Sequence, residues 1–497
     1  MQLAELLMAR GLVGLDDIEK AAVQQKEVGG RLDDCLVALG LLPQEQLDAV
    51  AEYAPTSPKT VEGTGIAQNS LSPLLLKYMY VEQRETPADF MDALKLPYNI
   101  VKSLLDDAVE MKSIQSLGAG TGGGTGGVGG LAKMRYALTE RGRTVAADAQ
   151  SRSHYLGPAP VSLAAFQQQI LKQALSAEQI GPERIKQCFS DLVIPASVVR
   201  QIGPAVNSGR SMLLYGAAGN GKTSVATRVG NIFTDIIFVP YCVEVEGQII
   251  QVFDSSVHIP GELTDLATAL PEYSKGLRRD DVDQRWVACR RPTVMVGGEL
   301  TLEMLDLAYS DVANFYEAPM HVKALNGTFI VDDFGRQLVS PGDLLNRWIV
   351  PMESRVDYFK LKSGRSICLP FDELVIFSTN MEPTDLIDPA FLRRIPYKIE
   401  LYGPSIEDYR LTFKQVAESS EFELPDDILS YVIEQLEARE ELHLAYYQPK
   451  FITDHVMAAC KYLGVPREFT RERVSDALVN LYVHFESARD RGAASGE

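Results

Sequence analysis

The most specific chemical pattern in the sequence is a glycine-rich stretch that ends in lysine and threonine. Residues 216–223 read GAAGNGKT, which fits the spacing G-x-x-x-x-G-K-[ST] without a gap. The apolar-leaning residues 211–215 before it predict a buried strand, and an amphipathic segment follows it. Glycines in this frame let backbone N–H groups converge on phosphate at a helix N-terminus. We therefore predict a phosphate-binding loop that contacts a nucleotide through Gly216, Gly219, Asn220, Gly221, Lys222, Thr223 and Ser224.

Two acids at the end of another apolar run predict a metal ligand and a water-activating group. Residues 329–331 lead directly into Asp332 and Asp333. Carboxylate and hydroxyl oxygens suit Mg²⁺, so Thr223 and Asp332 are the predicted metal ligands. Asp333 is the candidate for polarising the attacking water.

A further apolar run and the segment after it supply an amide and two arginines. Residues 374–377 predict a buried strand, and Asn380 follows it. The segment DPAFLRRIPYKIEL then places Arg393 and Arg394 before a strand-like run. The order of these features resembles that of the motifs of AAA+ ATPases: a phosphate loop, an acidic strand end, an amide and an arginine pair. The resemblance covers about residues 163–490.

The AAA+ resemblance implies an ATPase that uses Mg²⁺. By this resemblance Asn380 is similar to sensor 1, and Arg394 is similar to the arginine finger, with Arg393 as the alternative. Asp333 stands where the superfamily usually has glutamate, one methylene longer, which predicts slower hydrolysis. Lys450 is the candidate for sensor 2, normally an arginine at the start of a lid helix.

An arginine finger acts in the site of a neighbouring subunit. A guanidinium inserted in trans stabilises the charge on the transferring phosphoryl by roughly 10³–10⁵ in rate. A pocket that a neighbour completes requires an assembly of heterologous contacts. We therefore expect a homo-oligomeric ring, with a hexamer as the predicted size.

The order of predicted elements divides the chain into four domains. Residues 163–400 predict an α/β P-loop core of the AAA+ type, and residues 401–490 predict an α-helical lid. Two alternating stretches, VEVEGQIIQVF and MESRVDYFKLKSGRSICLPFD, predict β-hairpins. The second, just before Asn380, is similar to a hairpin of the magnesium-chelatase and MoxR-like branch, whose members commonly remodel proteins or insert metals.

Residues 1–55 contain an internal repeat. LAELLMARGLVGLDDIEKAA aligns with LDDCLVALGLLPQEQLDAVA at an offset of 29 residues, and each copy predicts two short helices joined at a glycine. The resulting small helical domain resembles the N-terminal domain of type II secretion and type IV pilus ATPases. In some of those a segment beginning Arg-Leu-Gly binds cyclic di-GMP, whereas this chain has Arg31, Leu32 and Asp33. A helical docking module is the favoured interpretation.

Residues 65–155 predict a winged-helix domain of the α+β class, after a polar linker at 53–70. Three helical patterns precede the strand IQSLG, a glycine run at 118–130 and the strand-like KMRYALTERGR. The third helix would contact DNA in such a domain, but it carries more acid than base: Asp106, Asp107 and Glu110 against Lys102. Protein docking is therefore favoured over DNA binding, and the glycine run is interpreted as a flexible loop tip.

Composition favours a cytoplasmic protein and disfavours nucleic acid as a partner. The net charge of the 497 residues is −19, whereas nucleic-acid-binding proteins usually show a basic footprint. No apolar run reaches the roughly 18–20 residues that span a bilayer. Six cysteines without a CxxC pair indicate neither a zinc site nor a disulfide framework.

Three functions fit these patterns. The favoured one is an AAA+ ATPase that couples hydrolysis in a ring to remodelling of an unidentified protein partner, recruited by the N-terminal modules. The alternative is a DNA-directed ATPase or regulator that uses the winged helix. The third, suggested only by Asp333, is a nucleotide-dependent scaffold that does not hydrolyse ATP.

Overall fold

The computed structural model describes residues 3–119, 134–261, 282–386, 388–438 and 443–481. Most of the glycine run at 118–130 and residues 482–490 of the predicted lid lie outside the described residues. Within the described ranges, every helix is too short or too polar to cross a membrane.

Helices occur along the whole chain. They are α1 (Leu3–Ala9), α2 (Leu15–Val28), α3 (Leu32–Ala38), α4 (Gln44–Tyr53), α5 (Gln68–Val81), α6 (Pro87–Leu94), α7 (Tyr98–Glu110), α8 (Glu140–Arg152), α9 (Leu163–Lys172), α10 (Pro182–Cys188), α11 (Ala196–Ser208), α12 (Lys222–Gly230), α13 (Met320–Lys323), α14 (Pro341–Ser354), α15 (Pro383–Leu386), α16 (Pro389–Leu392), α17 (Ile406–Ser419), α18 (Asp426–Glu437) and α19 (Gln448–Leu463). Residues 471–481 are also helical.

Strands are confined to the middle of the chain. They are β1 (Ile114–Ala119), β2 (Met134–Leu138), β3 (Val161–Ser162), β4 (Met212–Tyr215), β5 (Ile236–Pro240), β6 (Cys242–Val245), β7 (Gln248–Gln251), β8 (Trp286–Arg290), β9 (Thr293–Val296), β10 (Ala308–Ser310), β11 (Phe315–Glu317), β12 (Thr328–Val331), β13 (Val356–Lys360), β14 (Ser366–Pro370), β15 (Leu374–Thr379) and β16 (Tyr397–Glu400).

A parallel sheet lies at the centre of the α/β core. Its described strands have the order β16-β4-β15-β12-β9, and each neighbouring pair is parallel. Parallel sheets are covered on both faces, and the side chains of β4 alternate between the two. Met212 and Leu214 pack in the cluster of α11 and α12, whereas Leu213 packs in the cluster of α14. The three strands predicted at 211–215, 329–331 and 374–377 are confirmed as β4, β12 and β15. Their carboxyl ends meet at one edge, which brings together the residues that follow them.

The long span between α12 and β12 holds strands of a second sheet. Its described order is β10-β11-β7-β6-β3, and β5 pairs with β8 beside it. The hairpin predicted in VEVEGQIIQVF is β6 and β7, with its turn at Glu246 and Gly247, whose φ angles are +52° and +79°. The hairpin predicted before Asn380 is β13 and β14.

The N-terminal helices share a hydrophobic core with this second sheet. Helices α1–α4 occur in the predicted order, but the close pairs are α2 with α3 and α1 with α4, so helices of different repeats pack together. Their buried residues belong to one cluster with those of α9, β5, β6 and β8. The Tyr53 hydroxyl donates to the carbonyl of Ile236 at 2.5 Å, and Gln169 Nε2 donates to the carbonyl of Tyr53 at 3.0 Å. Residues 3–53 are therefore packed against the middle of the chain.

The segment 53–70, predicted to be a polar linker, is packed in place. The buried guanidinium of Arg285 donates to the carbonyls of Thr64 and Pro160 at 3.0 and 2.8 Å. The carboxylate of Asp283 neutralises that guanidinium and accepts from its Nη2 at 2.7 Å. This packing could not be predicted, because a backbone carbonyl held by an arginine 221 residues further along leaves no local pattern.

Helices α5–α7 precede the β1–β2 hairpin, in the predicted order of three helices and a wing. The strand-like stretch KMRYALTERGR was predicted to end in a strand and a turn, but after β2 the turn is replaced by the start of α8. Thr139 Oγ1 accepts from the N–H of Gly142 at 3.1 Å and caps that helix. A β-carbon at Gly142 would collide with the carbonyl of Ser113, so only glycine permits α8 to start this close to the preceding chain.

The described part of the predicted lid is helical, as expected. Helices α17–α19 and residues 471–481 pack around one apolar cluster. Helix α17 begins where Ser405 Oγ accepts from the N–H of Asp408 at 3.1 Å. Helix α19 follows Tyr447, whose position at the nucleotide site is described below.

Candidate nucleotide-binding site

The phosphate loop joins β4 to α12 at the carboxyl edge of the central sheet. Gly216, Gly219 and Gly221 have φ angles of +134°, +83° and +78°, values that favour glycine over any residue with a β-carbon. A β-carbon at Gly216 would also collide with the carbonyl of Leu401, at the end of β16. The glycines therefore let the loop turn tightly between two neighbouring strands.

Asn220 fastens the loop to the neighbouring strand. Its side chain is buried, and its Nδ2 donates to the carbonyl of Leu401 at 2.9 Å. The N–H of Leu401 in turn donates to the carbonyl of Tyr215 at 2.8 Å. The side-chain amide of Asn220 thus holds the loop to Leu401, and its backbone N–H is the group that can bind phosphate.

Lys222 lies folded against the loop. Its Nζ donates to the carbonyls of Gly216 and Ala217 at 2.9 and 2.8 Å. Burial lowers the pKa of the ammonium group, and the carboxylates of Asp333 and Asp332 act in the opposite direction. A cation held by two carbonyls inside the loop is available to exchange them for phosphate oxygens.

Thr223 and Asp332, predicted as metal ligands, are brought together. The Thr223 hydroxyl donates to Asp332, with Oγ1 at 3.1 Å from Oδ1 and at 2.9 Å from Oδ2. A hydroxyl and a carboxylate side by side are the hard oxygen donors that Mg²⁺ takes alongside water and substrate phosphate. The residues present therefore fit the predicted ion.

Asp333 and Asn380 form the second predicted pair. Asn380 Nδ2 donates to Asp333 Oδ1 at 3.1 Å. Asp333 has a φ of +49°, a left-handed conformation in which aspartate and asparagine are enriched several-fold over most residues. An aspartate therefore suits the backbone at position 333.

The loop that carries the two acids is braced at several points. The Thr379 hydroxyl donates to the carbonyl of Phe334 at 2.7 Å, which ties the loop to the end of β15. Gln337 Nε2 donates to the carbonyl of Asp332 at 2.8 Å, and Gln337 Oε1 accepts from the N–H of Gly335 at the same distance. Sequence reasoning missed Gln337, since an exposed-looking glutamine after an acidic motif carries no signal of its own.

A cleft of about 1210 Å³ separates the phosphate loop from the lid. Residues 218–225, Asp333 and Asn380 line it from the phosphate loop and the neighbouring strand ends. Apolar lining residues come from both the core and the lid and are Leu192, Ile194, Val198, Val416 and Phe451. The cleft therefore combines a candidate phosphate-binding loop with apolar side chains, as a nucleotide site requires.

Lys450 lines this cleft but is paired within its own helix. Its Nζ lies 3.2 Å from Asp454 Oδ2, and its side chain is 74% exposed. The lid residue that reaches the phosphate loop is Tyr447, whose N–H donates to the carbonyl of Gly219 at 3.2 Å. Sequence reasoning identified Lys450 as a candidate and missed Tyr447.

The two predicted arginines lie away from the cleft. No arginine is among the described residues that line it. Arg394 Nε donates to Glu353 Oε1 at 2.5 Å, and its guanidinium lies 5.3 Å from the centre of the Phe391 ring. Arg394 lines a separate cavity of about 360 Å³, and Arg393 is exposed.

Comparisons with known proteins extend the description without naming a function. A model of a domain of unknown function (DUF8689) matches residues 405–480, and no curated protein matches the chain. The chain is similar to the Thermotoga maritima RuvB Holliday junction branch migration motor, with 13% identity over 64% of this chain and 72% of that one, at a TM-score of 0.31. It is also similar to domain III of the Thermotoga maritima replication initiation protein DnaA (14% identity, 61% and 98% covered, TM-score 0.32) and to NtrX from Brucella abortus (12% identity, 60% and 71% covered, TM-score 0.30). At these TM-scores the three structures do not assign a function, which has to be inferred from the residues of this chain.

Proposed function

We propose that this chain is an ATPase of the AAA+ type that binds ATP with Mg²⁺ and hydrolyses it. One observation carries the proposal: the phosphate loop, the Thr223–Asp332 pair and the Asp333–Asn380 pair converge at one edge of a parallel sheet. Strand β15, which carries Asn380, lies between the loop strand and the acidic strand. That position suits a sensor between the acids and the γ-phosphate.

The phosphate loop binds the anion through backbone N–H groups and Lys222. The N-terminus of α12 adds the favourable end of a helix dipole. Lys222 exchanges its two carbonyl partners for phosphate oxygens. Thr223 and Asp332 would hold Mg²⁺, which when bound neutralises charge on the phosphate oxygens.

Asp333 positions and polarises the attacking water. Asn380 orients the carboxylate through its 3.1 Å hydrogen bond and leaves Oδ2 to accept from a water molecule. A general base of this kind contributes typically 10²–10⁴ in rate. The closing of the lid over the cleft would exclude other water.

Arg394, or alternatively Arg393, completes the site of a neighbouring subunit. The support is positional, because the cleft has no arginine among its described lining residues while Glu353 and Phe391 orient Arg394 on a separate surface. An arginine that acts in trans requires a homo-oligomer, for which we propose a hexameric ring.

The energy of hydrolysis is proposed to remodel a protein partner that the N-terminal modules recruit. Helices α1–α4 and the second sheet share one core, so a partner bound to them is mechanically connected to the ATPase core. On α7, Lys102 is exposed beside the exposed acids Asp106 and Glu110, which favours a protein over a polyanion.

DNA remains the second candidate partner, because α5–α7 and the β1–β2 hairpin follow the order of a winged helix. DNA-stimulated hydrolysis that falls steeply with salt would support it. Hydrolysis unaffected by DNA at low salt would exclude it.

The test is ATP hydrolysis against protein concentration for wild type, Lys222→Ala, Arg394→Ala and a mixture of the two variants. A shared pocket predicts a rate per subunit that rises with concentration, loss of activity in each variant, and partial recovery in the mixture. Turnover independent of concentration and unchanged by both Arg394→Ala and Arg393→Ala would contradict the ring. Absence of nucleotide binding in wild type would contradict the ATPase itself.

A further inference from the structure

The lid contacts the phosphate loop at Tyr447, the residue just before α19. Its N–H donates to the carbonyl of Gly219 at 3.2 Å. Its ring packs on Gly219 so closely that a β-carbon there would collide with Cδ1 and lie 2.8 Å from Cε1. The same tyrosine therefore holds the loop through its backbone and through its ring.

This contact fixes the direction of one peptide unit in the loop. The C=O and N–H of a trans peptide point in opposite directions. Because the carbonyl of Gly219 points to the lid, the N–H of Asn220 points away from it. Gly219 has a φ of +83°, and the conformational freedom of glycine would allow this peptide other orientations without the contact.

Successive N–H groups that point the same way are what makes such a loop bind phosphate. The side chain of Asn220 already holds its own residue to Leu401 on one side. Tyr447 holds the preceding carbonyl on the other side. Together they leave the Gly219–Asn220 peptide with a single orientation while the lid is docked.

Lys450, the candidate for sensor 2, forms an ion pair within its own helix. Lys450 pairs with Asp454 one turn along α19. No hydrogen bond joins Lys450 to the phosphate loop among the described residues, whereas Tyr447 makes one. The contact between lid and loop thus depends on an aromatic residue.

We propose that Tyr447 is a positioning residue that couples the lid to phosphate binding, by holding the Gly219–Asn220 peptide in its anion-binding orientation. The proposal rests on the ATPase function proposed above and adds the residue through which the lid acts. Lid docking and nucleotide binding then stabilise each other, as linkage requires. Displacement of the lid after hydrolysis frees the peptide and weakens the hold on the product.

The first experiment measures ATP hydrolysis and the binding of a fluorescent ATP analogue for the full chain and four variants, one of which is Lys450→Ala. Tyr447→Ala should raise KM and Kd on the order of tenfold, within the usual 5–150-fold range of coupled sites, with kcat changed much less. Tyr447→Phe keeps the ring and should behave as wild type. Tyr462→Ala is the matched control, since Tyr462 lies on the same helix and is 90% exposed.

A second experiment exchanges the sizes of the two contacting residues. Gly219→Ala places a methyl group against the ring and should lose most binding. Gly219→Ala is also strained by the φ of +83°, so the combined variant Gly219→Ala with Tyr447→Ala is compared with the product of the two single losses. Removal of the collision should make the combined loss of binding smaller than that product. A combined loss equal to the product would show that the ring and Gly219 act independently and would overturn the proposal.

The outcomes separate this proposal from the one on which it rests. Wild type that fails to bind ATP refutes the ATPase function. Wild type that binds ATP while Tyr447→Ala binds it equally well refutes only the role of Tyr447. A tenfold loss in Lys450→Ala without one in Tyr447→Ala would assign the coupling to the lysine instead.

Discussion

Replacing Asp333 by asparagine should stop hydrolysis and leave the fold and nucleotide binding intact. Asparagine tolerates the φ of +49° as aspartate does, so no new backbone strain is expected. It also keeps an oxygen where Oδ1 accepts from Asn380 Nδ2 at 3.1 Å. The change that remains is the loss of the negative charge that, in the proposed function, polarises the attacking water.

The expected magnitude follows from the role of that charge. A general base contributes typically 10²–10⁴ in rate, which corresponds to about 2.7–5.4 kcal/mol of activation free energy. We expect kcat to fall by about this factor, while the free energy of unfolding stays within about 0.5 kcal/mol of wild type. Three assays test this. Phosphate release at saturating ATP and Mg²⁺ measures kcat, binding of an ATP analogue measures nucleotide affinity, and thermal unfolding measures stability.

Asp332→Asn is the matched control, because it makes the same chemical change one residue away. It removes the charge beside Thr223 Oγ1 and should weaken Mg²⁺-dependent nucleotide binding as well as kcat. Asp333→Ala should in addition lower the free energy of unfolding by about 1 kcal/mol, since alanine is strained in the left-handed region. An Asp333→Asn variant that keeps half of the wild-type kcat would refute the proposed role of this carboxylate.

Three further predictions concern the framework of the site. Gly216→Ala should abolish binding of an ATP analogue, because its β-carbon collides with the carbonyl of Leu401. Arg285→Ala should lower the free energy of unfolding in urea by about 3–5 kcal/mol, because it leaves Asp283 buried without its partner. Glu373 is fully buried, and burial raises its pKa well above 4.5, so native Glu373 stays protonated where the unfolded chain ionises. The free energy of unfolding should therefore fall as pH rises above about 4.5. Glu373→Gln should remove this contribution, so its Tm should fall less than that of wild type between pH 5 and 9. Equal slopes of Tm against pH for the two proteins would contradict this.

The grouping of the candidate site residues could be predicted from sequence because each motif is encoded locally. The spacing of GAAGNGKT defines the loop, and Asp332 and Asn380 each follow an apolar run closely. Parallel strands then bring their carboxyl ends together, so the pairing of Thr223 with Asp332 followed from the motifs alone. Helices α17–α19 followed in the same way from apolar periodicity.

Contacts to the backbone carbonyls of distant segments could not be predicted. Nothing around Tyr447 indicates that its N–H reaches Gly219, since the partner is a backbone carbonyl. The sequence around Thr64 and Pro160 likewise gives no sign that Arg285 donates to their carbonyls. The start of α8 was missed because TERG after a strand also fits a turn, and only the close approach of Gly142 to Ser113 shows why a helix begins there.

The core shared by α1–α4 and the second sheet has a consequence for how this architecture can change over evolutionary time. Tyr53 and its neighbours cover apolar residues of α9, β5 and β8, so a chain that began after residue 55 would leave that surface bare. Exposed apolar area of this kind promotes aggregation. Gene fusion or exchange therefore cannot replace the first 55 residues alone, and any substitute has to arrive with a surface already matched to the second sheet.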